Sequence, residues 1–302
     1  MKKLLYLSII FIVMASGCSH NNKDDYIKES LNVVSEIHEF ENTIAFGVTD
    51  ETAINDNQLI HKIKSNNDYS PEIIIKNNYD SSFKFRIFFL VDYKQISVMF
   101  KDKPVKTLDL QVSSRGTEKF EVKLPELQNG LHDFLVILVR DPDNTLEEEK
   151  FVPSAQVYMS RRIALIVDDK MDKPKHTVFP VAAKEIEQPS ADPYITTEPF
   201  NPVKDAITLL PKKTKDLHLN IKNGKENSTY AILSFLGKEQ ISFSKPFVSV
   251  SSVGQFSLPF ELNNNNQSIQ NLIITVVEDP YTLNEDVMHN VYFSNIISTS
   301  DD

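Results

Sequence analysis

From Asn42 onward the chain alternates. Apolar residues recur at every second position in short runs broken by Asn, Asp, Ser, Gly and Pro. That is the period of half-buried β-strands, not of helices. The runs NTIAFGV, EIIIK, FKFRIFFLV, QISVMF, TLDLQV, KFEVKL, FLVILV and VYMSRRIALIV occupy the stretch up to Val167, and LHLNI, YAILSF, QISF, FVSVSS, FSLPFEL, LIITVV and VYFSNII follow from Leu217. Two of them, Phe134–Val139 and Leu272–Val277, are apolar at odd and even positions alike, which predicts strands covered on both faces. Near the N-terminus the period changes. Ile27, Leu31, Val34 and His38 share one helical face, so a short amphipathic helix is expected there.

The same pattern is written twice. Ile75-Lys76-Asn77 returns as Ile221-Lys222-Asn223, Gln95-Ile96-Ser97 as Gln240-Ile241-Ser242, and Val112–Gly116 (VSSRG) as Val250–Gly254 (VSSVG). Asp141-Pro142 then returns as Asp279-Pro280, and VYMS at Val157 as VYFS at Val291, with the order kept throughout. Between residues 112–142 and 250–280 the copies align without a gap, and Phe120, Val122 and Leu124 fall on Leu258, Phe260 and Leu262. Shared apolar phase over that span implies an internal duplication, with insertions confined to the loops.

Short strands punctuated by turn residues, repeated as a block, predict an all-β chain of two tandem β-sandwiches. They resemble the immunoglobulin-like domains of bacterial surface proteins in architecture. The cysteine pair and the tryptophan of antibody-type domains are absent, since the chain has one Cys and no Trp. The expected organisation is a signal peptide at 1–17, a tether with a short helix at 18–40, and a first sandwich at 41–169. A Pro-rich linker holding the first strand of the second unit follows at 170–205, with the second sandwich at 206–302.

Lys2 and Lys3 precede an apolar run from Leu4 to Met14, which as a helix covers about 16 Å against a hydrocarbon core of ~30 Å. Charged start, short apolar core and small residues make the layout of a secretory signal. Ala15-Ser16-Gly17-Cys18 resembles the lipobox of bacterial lipoproteins, with Ala15 where Leu is usual. The resemblance covers residues 1–18. It implies cleavage before Cys18 and diacylation, such as palmitate, on its sulfur, giving a membrane partner through lipid. Two acyl chains at about 0.8 kcal/mol per buried CH₂ make a durable anchor where one does not. The implied location is extracytoplasmic: the outer leaflet of a single-membrane bacterium, with the outer membrane of a two-membrane bacterium as the alternative. Lys23-Asp24-Asp25 reads as a solvated spacer.

A net charge of −10 argues against nucleic acid as a partner. The motifs GxSxG, HExxH, GxxxxGK[ST] and GxGxxG are absent, and the seven histidines show no metal-binding spacing. His132-Asp133, at the start of a doubly apolar strand, reads as a solvated turn pair and not as a catalytic dyad. The one repeated feature with binding chemistry is the acidic loop after that strand, Arg140–Lys150 and Glu278–Asp286, in which Asp141, Asp143 and Glu147 are candidate Ca²⁺ ligands. The loop lacks the glycine of a calcium turn, and the favoured reading is an Asp-Pro turn with a solvated acidic tip. No cofactor is expected. The expected function is a non-catalytic binding or scaffolding module of the cell envelope, with a protein or envelope polymer as partner. A Ca²⁺-dependent module is the alternative, and an enzyme whose site is assembled from scattered residues comes third.

Overall fold

Alternation in the sequence becomes strands in a computed structural model of the chain, which describes residues 42–65, 68–187, 189–211, 213–263 and 269–300. Cys18 and the helix expected around Ile27–His38 lie outside the described residues. The first copy forms β1 (Ile44–Thr49), β2 (Ile60–Ile63), β3 (Glu72–Asn77), β4 (Phe83–Val91), β5 (Lys94–Gln95), β6 (Val98–Phe100), β7 (Lys103–Val105), β8 (Thr107–Val112), β9 (Thr117–Glu121), β10 (Gly130–Arg140) and β11 (Tyr158–Val167). The segment expected as a linker supplies β12 (Phe179–Val181) and β13 (Tyr194–Thr196). The second copy continues with β14 (Leu209–Pro211), β15 (Lys213–Asn223), β16 (Ser228–Leu236), β17 (Glu239–Ile241), β18 (Phe247–Val250), β19 (Gly254–Asn263), β20 (Asn271–Glu278), β21 (Val291–Phe293) and β22 (Ile297–Ser300). Among the described residues no helix is long and apolar enough to cross a membrane.

Each copy is an immunoglobulin-like sandwich. In the first, the sheet β1-β3-β9 faces the sheet β2-β11-β10-β4, to which β5 and β8 add at the β4 edge. In the second, β13-β15-β19 faces a sheet in which β14, β22, β20, β16 and β18 take the matching places. Even the unusual pairing repeats: β2 runs parallel to β11, and β14 runs parallel to β22. The duplication read from the sequence is therefore a duplication of strand order.

Each sandwich has its own core. Ile73, Ile75, Phe85, Ile87, Phe89, Phe134, Val136 and Leu138 fill the first, and Leu219, Ile221, Ile232, Leu258, Leu272, Ile274 and Val276 the second. The opposite faces of the same strands build a third core shared by both copies. Phe88, Leu90, Leu135, Ile137, Val139 and Tyr158 pack there against Ala231, Leu233, Phe235, Ile273, Val277 and Phe293. The rings of Phe88 and Phe235 lie 4.9 Å apart across this joint, and Tyr158 stacks on Phe293 at 5.3 Å. This is why Phe134–Val139 of β10, and Leu272–Val277 of β20 apart from Thr275, are apolar on both faces: one side chain in two fills its own sandwich, and the next meets the other copy. Glu39–Asp302 consequently forms one compact unit.

One repeated motif is not structurally equivalent. Tyr158 pairs with Val139, but the matching pairing in the second copy joins Val277 to Val291, one residue before Tyr292. A one-residue slip turns every side chain to the other face. Tyr158 thus points into the joint, whereas Tyr292 packs at the rim of its own core and Phe293 takes the joint position.

Candidate functional site

The joint carries buried charge. Arg162 and Asp133 form an ion pair whose side chains are both 0 % exposed, at 2.7 Å. Asp133 Oδ2 accepts from Arg162 Nε and Nη2, from the Tyr93 hydroxyl and from the Tyr281 amide at 2.8 Å. Arg162 in turn donates to the Glu278 and Asp279 carbonyls of the second copy at 3.0 and 2.8 Å. Burial opposes the charge on Arg162, but the field and hydrogen bonds of Asp133, with Tyr93 and Asp279, together override it and hold the guanidinium's pKa above its usual value. Burial, and then Asp133, push the Tyr93 hydroxyl well above the usual range, so it serves as a hydrogen-bond donor.

The joint is also reciprocal. Gln95 N–H donates to Gln240 Oε1 at 2.7 Å, and Gln240 N–H donates to Gln95 Oε1 at 2.8 Å, so the repeated QIS motif meets itself. Asn271, the counterpart of Asp133 in the gapless alignment, donates from Nδ2 to the Pro142 and Asn144 carbonyls at 3.1 and 2.9 Å. Each copy therefore grips the Asp-Pro loop of the other from the same strand position. Such mutual contact is the mark of a two-fold, isologous interface. At its rim, Asp109 accepts from Arg86 of its own copy and pairs with Lys238 of the other at 2.8 Å. Glu285 accepts from Asn55 and Asn57.

The candidate calcium ligands are placed in this frame. Asp141 and Asp279 are both left-handed, at φ +48° and +46°, and each bonds backbone to backbone with the start of an equivalent strand of its copy, at Lys84 O of β4 (2.7 Å) and Thr229 O of β16 (2.8 Å). The carboxylate of each accepts the return N–H from Lys84 and Thr229. They are Asp-Pro turns. Asp143 pairs with Lys84 and with Arg86 at 3.0 Å, while Glu147 lies exposed further along the loop. In the second copy Lys225 pairs with Asp279 and Glu278. Among the described residues no group of three or more His, Cys, Asp or Glu is placed to hold a metal ion.

His132-Asp133 departs from the sequence expectation of a solvated pair. His132 is 8 % exposed and Asp133 fully buried, because β10 begins at Gly130 and both residues lie within the strand. They do not bond to each other. His132 Nδ1 meets Asp92 Oδ2 at 2.7 Å and its Nε2 meets the Gln128 carbonyl at 2.8 Å. Burial works against the imidazolium, but the hydrogen bond and charge of Asp92, the Gln128 carbonyl and the charge of Asp133 together outweigh it and raise the His132 pKa. His61, fully buried, bonds Tyr69 and the Gln58 carbonyl, and burial lowers its pKa. His176 stacks on Phe247 with ring centroids 3.9 Å apart and bonds the Tyr281 hydroxyl. Chemically, this arrangement holds parts together. The signal that could have found it is the Arg161-Arg162 pair inside an otherwise apolar run, since a cation at such a place needs a buried partner.

No family model matches the sequence, and no curated protein matches it. Among solved structures, the CARDB domain of the PF1109 protein of Pyrococcus furiosus, in complex with di-metal ions, is similar at 9 % identity with a TM-score of 0.26. That match covers 41 % of this chain and 88 % of the domain. Red sea bream transglutaminase is similar at 7 % identity with a TM-score of 0.25, over 90 % of this chain and 33 % of the enzyme, so the chain spans about a third of that protein. The immunoglobulin-like fold stands on this chain's own strand order.

Proposed function

We propose that the chain is a lipoprotein anchored through Cys18 on the outer side of a bacterial membrane, and that its two sandwiches act as one rigid, non-catalytic module that binds or positions another macromolecule of the envelope. The observation that carries the second half is the joint. The repeated polar motifs, Gln95/Gln240, Asp141/Asp279 and Asp133/Asn271, are engaged in turns and in contacts between the copies. Such a body has a fixed geometry to offer a partner, with its loops left for recognition. The first half rests on the signal and lipobox resemblance of residues 1–18.

Mass spectrometry of the mature N-terminus tests the anchor: an acylated Cys18 is expected, and Cys18→Ser is expected to release the protein from the membrane fraction. An unmodified or internally cleaved N-terminus refutes it. Cross-linking on intact cells, followed by purification through the anchored chain, is expected to return a defined envelope partner. Added CaCl₂ is expected to leave the melting temperature unchanged, and a rise would favour the Ca²⁺-dependent alternative.

A further inference from the structure

The two copies differ at one edge. In the second sandwich β12 lies parallel to β18, with Phe179 opposite Val248, Pro180 opposite Ser249 and Val181 opposite Val250. The chain then crosses to the other sheet, where Lys184 and Gln255 exchange both backbone hydrogen bonds at 2.8 Å. It passes so close to Gly254 that a Cβ there would sit 2.5 Å from the Lys184 carbonyl oxygen. Phe179, Val181 and Ala183 pack on the second core, and Pro180 faces outward.

The first sandwich has the same edge without the strand. Val112 pairs with Phe83 as Val250 pairs with Ser228, which makes Leu110 the counterpart of Val248. Among the described residues β8 pairs only with β4. Burial follows: Val248 is fully buried while Leu110 is partly exposed, Leu258 is buried while Phe120 is partly exposed, and Gln255 is buried while Thr117 is exposed. Gly116 stands where Gly254 does, and the nearest atoms to a Cβ there belong to Ser113 of its own turn. A strand edge left open in this way is a template for another strand.

We propose that the open edge of β8, with the groove beside Leu110 and Gly116, is the docking site for an extended segment of a partner protein that adds to the sheet as a parallel strand. The second copy shows the chemistry such a segment needs: apolar side chains at alternate positions, as in Phe179 and Val181, flanking a residue that faces solvent. Main-chain bonds supply affinity and the alternate apolar pockets supply selectivity. This inference deepens the binding role proposed above and names its surface and its class of partner.

The full chain carrying Cys18→Ser, titrated with a synthetic peptide copying residues 177–185 (TVFPVAAKE), tests it. Saturable binding is expected, with slowed amide exchange across Thr107–Val112. Leu110→Lys is expected to weaken binding by about tenfold or more, whereas Gln111→Ala, at an exposed side chain, leaves it unchanged. The exchange measurement needs no substitution, so it stands even if Leu110→Lys disturbs the fold. Absence of binding, protection appearing at β18 because the peptide displaces β12, or protection that depends on self-association of the free chain would each overturn the proposal. An acylated chain that binds nothing at β8 refutes the edge alone. A native N-terminus found unmodified at Cys18, while the Cys18→Ser chain still binds the peptide, refutes the anchor alone.

Discussion

Arg162 is the residue on which the joint turns. Its guanidinium and the Asp133 carboxylate are both out of water. Removing one partner of such a pair costs about 3–5 kcal/mol, because the survivor stays buried and uncompensated. Arg162→Met is expected to lose that much in urea unfolding, and Arg162→Met with Asp133→Leu to lose less than Arg162→Met alone. Equal losses would mean that the buried charge is not what matters. Two other residues contribute to the pH dependence. Burial opposes the Asp109 carboxylate, but hydrogen bonds from Arg86 and Lys238 prevail and bring its pKa down to about 2. A depressed carboxylate stabilises the fold above its unfolded value of about 4, and that contribution fades as pH falls through the folded value. Asp109→Asn should therefore cost about 2 kcal/mol at neutral pH and nothing once the pH is below the folded value. His132 has the opposite sign. Its raised pKa contributes stability below about 6.5 that is lost as pH rises through the folded value, and His132→Gln should flatten that part of a stability–pH series.

At the scale of the element, β10 distinguishes its two faces. Ile137 belongs to the shared core and Val136 to the first sandwich's own core, and both are fully buried. Ile137→Ala is expected to cost about 2–5 kcal/mol through the cavity it leaves. Lys119→Ala, at an exposed position of β9, should change stability by no more than roughly 0.5 kcal/mol. Guanidinium unfolding of the two variants checks the contrast. The strands themselves were legible in the sequence because period-two alternation is a direct trace of a pleated surface. The duplication was legible because Val112–Pro142 and Val250–Pro280 kept their spacing. The joint was not, since a run apolar on both faces reads the same whether the far face meets its own fold or another. Nor was the slip at Tyr158 and Tyr292 visible. Identical letters in VYMS and VYFS conceal a register change that only strand pairing reveals. His132-Asp133 misled for a related reason: the neighbouring Asn129-Gly130 signals a turn, but the strand begins at the glycine itself.

For the whole molecule, three cores in one compact unit predict joint unfolding. Calorimetry of Glu39–Asp302 within the full chain should show a single transition, with calorimetric and van't Hoff enthalpies in agreement. Two resolved transitions would show that the shared core does not couple the sandwiches. The reciprocal Gln95–Gln240 contact has a consequence for how such a molecule behaves at low abundance. Two separate copies meeting through this face would be a homodimer, and their association would fall away on dilution. Joined in one chain, each copy sees the other at an effective concentration fixed by the connecting segment, so the assembly does not depend on how many molecules the cell makes. The same covalent link releases the halves from being identical. A symmetric pair would have to place the same residue at both ends of the contact, whereas this chain sets a charged Asp133 at one end and a neutral Asn271 at the other. A free edge on one half alone is the kind of difference that only a fused pair can carry.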